Sequence, residues 1–289
     1  MCVAVQNSQK IPCTLALLTR NSALTLARAL ESAKDFAEII VCDGGSTDGT
    51  LAIARAFGAR IIAQDARFKD TSGRIIDFAG VRNQTLKAAI YDWFFYLDSD
   101  ELMTSGLAGE IHSHILKNMG MNHSGGGNGG DGGVGEGRRA SCWWVDRKYM
   151  IDDKTIDCAA TYPTRQMRFF HRDTVTEFIK PIHERINPKS DALIKTTENF
   201  MLVPISPDPR VWRDKWKHYI ELEIARRGKI SFWDWVDVCM ENAKISFLYA
   251  FRLVRNAIFY SGTKMPLALE WERHVYHWNL CKALWSNTR

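Results

Sequence analysis

Apolar residues in the first hundred positions fall in short unbroken blocks. Each block is followed by a polar cluster, and then by apolar residues at helical spacing. Pro12 to Leu18, Glu38 to Cys42, Arg60 to Ala63 and Trp93 to Leu97 read as strands; continuous apolar runs of this length suit strands buried on both faces. Between them, Leu24, Ala27 and Leu30 predict a helix over Ala23 to Ala33 with Ser22 as its cap. Further helices run from Thr50 to about Phe57 and to an end near Tyr91. Strands alternating with helices imply right-handed parallel crossovers and a doubly wound α/β sheet. Ser141 to Met150, Arg165 to Arg172 and Leu193 to Ile205 read as further strands. Beyond the proline cluster Pro204 to Pro209 the pattern becomes long-helical, over Val211 to Arg227, Phe232 to Tyr260 and Leu267 to Trp285. The expected organisation is an α/β domain over 1–204 and a helical region over 205–289, with no internal repeat. Ten of the nineteen residues from Met119 to Gly137 are glycine, which predicts a disordered surface insertion.

The polar clusters carry the chemistry. In an open α/β sheet, ligands bind at the carboxyl ends of the strands near the switch in strand order. Thr19-Arg20-Asn21, Asp43 to Asp48 and Asp98 to Glu101 all fall at such ends. Asp98 and Asp100 flank one serine, and if the extended geometry persists they point the same way. Paired carboxylates there suit a divalent cation. The plainer reading is an acidic cap for a helix starting near Thr104. The first strand–helix turn, Leu18 to Ser22, has no glycine, which argues against a nicotinamide-dependent dehydrogenase, although Asp43 sits where a ribose-binding acid would. The glycine-rich insertion lacks the lysine of a phosphate-binding loop and does not join a strand to a helix.

Composition narrows the class further. With 46% hydrophobic and 25% charged residues in 289, the chain is an ordinary globular protein. Its seven cysteines are scattered without a Cys-x-x-Cys pair, which fits a reducing cytoplasm and argues against a disulfide framework or zinc site. The first ten residues lack the features of a signal peptide, and no apolar run is long enough to span a bilayer. The net charge of +5 lies wholly in 205–289, together with seven of the ten tryptophans. Basic charge with tryptophan suits an anionic membrane surface. It also suits a nucleic acid, or a plain helical cap with a solvated basic face; nucleic acid is not the expected partner.

The motifs themselves resemble a known family. Val41-Cys42-Asp43-Gly44-Gly45-Ser46-Thr47-Asp48-Gly49-Thr50 resembles the D-G-S-x-D-x-T signature of family 2 inverting glycosyltransferases. Arg82-Asn83 is similar to that family's A-R-N element, and Asp98-Ser99-Asp100-Glu101 to its D-A-D-E metal motif. Arg165 to Phe170, followed by His183-Glu184, resembles the R-L-R-L-F … H-E stretch of the bacterial lipopolysaccharide-core glucosyltransferase subgroup.

The resemblance implies a GT-A fold and a nucleotide-diphosphate sugar donor, a uridine-diphosphate sugar by family habit. Thr19, Arg20, Asn21, Asp43, Gly45, Ser46, Asp48, Arg82, Asn83, Asp98 and Ser99 would line the donor, with Asp43 near the base and Asp98 near the ribose. Mg²⁺ or Mn²⁺ would sit on Asp98 and Asp100, with His183 as a further ligand. Inversion needs one general base, for which Glu184 is the leading candidate and Glu101 its competitor. The acceptor implied is a glycan or lipid-linked molecule such as a lipopolysaccharide core. The enzyme would be cytoplasmic and could touch the inner face of the membrane through 205–289. A sugar nucleotidyltransferase, or an inactive glycosyltransferase-like binding protein, would share the layered fold.

Overall fold

The computed structural model describes residues 10–120, 140–181 and 184–288. The chain divides into two compact units. One comprises residues 1–147 and 165–203, the other residues 148–164 and 204–289. Residues 148–164 therefore belong with the C-terminal helices, which the boundary expected at 204 did not foresee.

The first unit opens with β1 (Ile11–Thr19), α1 (Ala23–Ser32), β2 (Phe36–Asp43), α2 (Thr50–Ala56), β3 (Arg60–Ala63), α3 (Phe78–Ala88), β4 (Trp93–Asp98) and α4 (Ser105–Gly120). Then follow β5 (Ala140–Ile151), whose end from residue 148 belongs with β6 (Lys154–Thr155) to the second unit, and β7 (Thr164–His171), β8 (Val175–Ile179), β9 (Arg185–Pro188) and β10 (Leu193–Pro204). The main sheet runs β10-β5-β7-β4-β1-β2-β3, while β6 pairs with the end of β5. Strands β4, β1, β2 and β3 are mutually parallel, and β7 joins β4 antiparallel. The chain steps outward from β1 to β3 and returns to β1's other side as β4. The switch in strand order therefore lies between β1 and β4, where an α/β sheet opens its ligand crevice. Register places Thr19 opposite Asp43 and Leu18 opposite Asp98, so the three polar clusters share one rim.

Both sheet faces are buried, which is why the strands read as unbroken apolar runs. Leu15, Leu17, Phe95 and Leu97 pack on one face with Leu26 and Leu30 of α1 and Leu107 and Ile111 of α4. Ala16, Ile40, Phe94 and Tyr96 pack on the other with Ala79 and Leu86 of α3 and Phe178 of β8. Asp98 keeps the parity of Tyr96 and so emerges on the α3 face. Asp77 caps α3 through the Gly80 amide, and Thr104 caps α4 through that of Leu107. The expected glycine-rich insertion begins later than the sequence suggests, because Met119 and Gly120 complete α4; its remainder lies outside the described residues.

The second unit holds α5 (Pro209–Arg227), α6 (Phe232–Phe259) and α7 (Leu267–Trp285). Helix α7 packs on both α5 and α6. Leu269 and Met265 share a small core with Ile151 and Ile156, and Leu280 and Leu284 a second one with Val238. Buried Glu270 accepts from the Ala160 amide at 2.8 Å, tying 148–164 to α7. No helix among the described residues is long and apolar enough to cross a membrane.

Candidate active site

The loops after β1 and β2 are knitted into one surface. Asp43, at the end of β2, accepts from Thr19 Oγ1 at 2.9 Å, Ser46 Oγ at 2.5 Å, and the amides of Gly45 and Ser46 at 2.9 and 2.8 Å. A carboxylate has about four lone-pair positions, and the loop uses all of them. Burial pushes the Asp43 carboxyl up, but the bonds from Ser46, Gly45 and Thr19 outweigh it and hold it below the usual range. Two glycines make this turn possible. Gly45 has φ +92°, and a Cβ on Gly44 would come 2.8 Å from Gln64 Oε1. Asn21, itself left-handed at φ +51°, donates its amide to Ser46 Oγ and accepts from the Thr47 amide, both at 2.8 Å. Asp48 accepts from the first amide of α1, that of Ala23, at 3.1 Å and from Thr50 Oγ1 at 2.5 Å. Arg20 reaches outward to the carbonyls of Ser72 and Gly73 at 3.0 and 2.6 Å.

At the end of β4 the chain turns at once. The Glu101 amide donates to the Asp98 carbonyl at 3.0 Å, which ends the strand's alternation. Asp98 and Asp100 therefore do not act as a same-side pair. One Asp98 oxygen is bound by Arg82 of α3, the other by Arg168 of β7 at 3.1 Å. Both guanidiniums stand over the Tyr96 ring, at 4.5 and 4.3 Å from its centroid. Behind them lies Glu101, 1% exposed. It accepts from Arg147 at 2.5 Å, from Arg168 at 3.2 Å and from the Asp98 amide at 3.1 Å. Burial opposes ionisation of Asp98, but Arg168 and Arg82 prevail and hold it well below the usual carboxylate range. Burial raises the Glu101 carboxyl, helped by the Asp98 charge and opposed by the two arginines. Arg168 loses hydration by burial, yet Glu101 and Asp98 raise its pKa further.

Glu184 closes the arrangement. Its Oε1 accepts from Arg82 Nε at 3.4 Å, so one arginine bridges Asp98 and Glu184, which lie 16 and 102 residues from it in sequence. The β8–β9 hairpin that carries it is fixed by Asn83, which exchanges two hydrogen bonds with the Phe178 backbone at 2.9 and 2.8 Å. Ser99 Oγ donates to Ser22 Oγ at 3.1 Å, joining the β4 turn to the start of α1. Asp100 is exposed and makes no hydrogen bond or ion pair among the described residues.

The sequence pattern of glycosyl transferase family 2 matches residues 14–178, more than half of the chain and every part of this rim up to the hairpin. The chain belongs to glycosyl transferase family 2. It is 38% identical over 103 residues to a TPR repeat-containing protein of Synechococcus elongatus, covering 35% of this chain and 24% of that one. It is 32% identical over 96 residues to an uncharacterised glycosyltransferase of Rickettsia felis, covering 33% and 31%. The chain thus spans only about a quarter to a third of the length of these relatives. Among solved structures, glucosyl-3-phosphoglycerate synthase of Mycobacterium tuberculosis, crystallised with Mn²⁺, UDP and glucosyl-3-phosphoglycerate, aligns at 19% identity with TM-score 0.28, covering 48% and 44%. Residues 1–349 of Staphylococcus aureus TarS align at 12% identity with TM-score 0.42, covering 93% and 71%.

Seen in this family 2 chain, the expected site residues divide by what their side chains are free to do. Thr19, Asn21, Asp43, Ser46 and Asp48 are brought together, but their polar atoms bind one another and build the rim. Asp43 in particular has no acceptor position left for a base. Arg20 turns to the 72–73 carbonyls, and Asn83 serves the hairpin rather than a nucleotide. Glu101 is a buried counter-ion to two arginines, so the geometry takes it out of the general-base role. Asp98 has a guanidinium on each oxygen, which takes two of its about four lone-pair positions. His183, expected as a further ligand, lies outside the described residues. Among the described residues no three His, Cys, Asp or Glu side chains cluster to hold a metal. Asp100 carries no other bond among the described residues. That fits a cation which takes one protein carboxylate and fills its shell from phosphate and water, the common manner of Mg²⁺.

Arg147, Arg168 and Tyr96 went unassigned. One signal was present: Arg168 stands in the apolar run Met167-Arg168-Phe169-Phe170, and an arginine buried on a strand must be paired.

Proposed function

We propose that this family 2 protein transfers a sugar, with inversion, from a nucleotide-diphosphate donor seated over the β1, β2 and β4 ends. The observation that carries this reading is the Asp98–Arg82–Glu184 bridge. It joins a buried cation to two carboxylates at the end of β4, beside the sheet's switch point, and Asp100 follows Asp98 by two residues.

Each residue then has a task. Asp100 is the carboxylate that would hold a divalent ion, whose chemistry when bound is to neutralise charge on the departing diphosphate. Asp98, kept ionised and immobile by Arg82 and Arg168, orients the donor's sugar side. Nη1 of Arg82 is buried without a hydrogen-bond partner and is the guanidinium atom left to meet an anionic donor. Glu184 commits Oε1 to Arg82, while its Oε2 makes no bond among the described residues. That oxygen takes the acceptor hydroxyl proton as the acceptor oxygen bonds the anomeric carbon and the carbon–diphosphate oxygen bond breaks.

A uridine-diphosphate sugar is the donor to test first, on the strength of the family resemblance. The acceptor class proposed is a glycan or lipid-linked molecule such as a lipopolysaccharide core, met at the cytoplasmic membrane face.

Thermal stabilisation by a panel of nucleotide sugars with Mn²⁺ identifies the donor, because a ligand that binds only the native state raises the melting point. With that donor, Glu184→Gln is expected to retain binding and lose turnover by about 10²–10⁴-fold, the range for a removed general base. Turnover equal to wild type removes Glu184 from the role. Binding without turnover in the wild-type protein, against a broad acceptor panel, favours the binding-protein reading.

A further inference from the structure

The C-terminal unit presents an apolar surface that its own core does not use. On α6, Met240, Phe247, Phe251, Val254 and Ile258 are all more than half exposed, and Phe247 is 76% exposed. Their spacing alternates three and four residues once Lys244 is counted, so they form one line along the helix. Exposed Leu248, Phe259 and Tyr260 widen it. On α7, Trp271, Trp278 and Trp285 recur every seven residues, and all three are more than half exposed. Single exposed apolar residues are ordinary, but contiguous aromatic and aliphatic stripes mark a contact surface.

Charge identifies the partner. Between Glu241 and Glu270 there is no acidic residue, while Lys244, Arg252, Arg255 and Lys264 fall in that interval. The acids of α6, Asp234, Asp237 and Glu241, lie in its first three turns. The two acids of α7, Glu270 and Glu272, are buried, the first on the Ala160 amide and the second on Arg213. The exposed aromatic stretch is therefore basic and free of acids. A parallel pairing with a second copy would set Lys244 and the arginines against their own kind. Lys244 and Lys264 are exposed and meet an anionic bilayer with opposite charge, the half-buried arginines add to the same positive field, and phenylalanine, tryptophan and tyrosine are the side chains that favour its interface.

We infer that the stretch of α6 from Met240 to Phe259 lies in the interface of an anionic membrane, with Phe247, Phe251, Val254 and Ile258 dipping into the acyl boundary. The helix lies on the bilayer rather than crossing it, since its apolar window is too short and too charged to span. The inference stands on the second unit alone and does not need the transferase reading.

Flotation of the full chain with phosphatidylcholine vesicles, with and without phosphatidylglycerol, tests it. Binding is expected only with phosphatidylglycerol, and it should weaken as salt screens the basic residues. Phe251→Ser with Ile258→Ser is expected to lower the bound fraction by about tenfold or more, because membrane affinity scales with buried apolar area. Lys244→Glu should lower it by a smaller factor. Circular dichroism and the melting point of each variant guard against loss of folding. Three outcomes would overturn the inference: equal recovery with neutral and anionic vesicles, binding that the double serine variant leaves intact, or a stable dimer in solution indifferent to lipid.

Discussion

Arg82 does the most with one side chain. It is 2% exposed, stacks on Tyr96, and joins the β4 acid to the acid in the β8–β9 connection. Lysine has neither the planar fork nor the stacking face. Arg82→Lys is therefore expected to cost about 10²–10³-fold in kcat/KM, as loss of a preorganised charge in an active site does. Steady-state kinetics with the identified donor measure it, and a loss of less than threefold would be too small for the bridging role.

Asp43 makes a separate prediction about pH. Its carboxyl titrates below the ordinary value in the folded chain, so its contribution is complete above the unfolded pKa of about 3.9. That contribution is lost as pH falls through the lower folded value. Urea unfolding of Asp43→Asn should show about 1–3 kcal/mol less stability than wild type at pH 7, the cost of disturbing a buried, fully bonded carboxylate. The difference should shrink between about pH 5 and pH 2. A difference independent of pH would exclude ionised Asp43 as its source. At this scale the sequence was legible for identity and mute on allegiance. Asp98, Asp100 and Glu184 stand out as motifs, but nothing local says that Asp98's oxygens go to Arg82 and Arg168, 16 and 70 residues away.

Elements were the most legible level, because burial on both faces leaves an unbroken apolar run wherever a central strand occurs. β1, β2, β4 and the three long C-terminal helices fall where the pattern puts them to within a residue or two. The short β8–β9 hairpin was not assigned, since Pro181 interrupts it and its pairing rests on a tertiary contact. That contact is Asn83, whose side chain takes both backbone groups of Phe178. Asn83→Ala leaves those buried groups unsatisfied and should cost about 1–3 kcal/mol. Hydrogen exchange should find the Phe178 amide deprotected well beyond the amides of β1. Equal protection in the variant would mean that the hairpin holds without its clamp.

For the molecule as a whole, the doubly wound sheet follows from alternating strands and helices, and the rim from the switch between β1 and β4. The passage of residues 148–164 into the helical unit could not be read. It depends on Glu270 meeting the Ala160 amide and on Ile151 and Ile156 finding Leu269, contacts more than a hundred residues apart. The functional reading rests on one arrangement: Asp98 locked by arginines, and Asp100 left as the carboxylate open to a metal-bound diphosphate. Calorimetric titration of the wild-type protein and Asp100→Asn with uridine diphosphate, each with and without Mn²⁺, probes that arrangement. We expect wild-type binding to tighten with Mn²⁺ by about tenfold or more, and the variant to bind equally weakly under both conditions. Mn²⁺ enhancement that survives in Asp100→Asn, or is absent from the wild type, would show that this rim does not hold a metal-bound nucleotide in the way described.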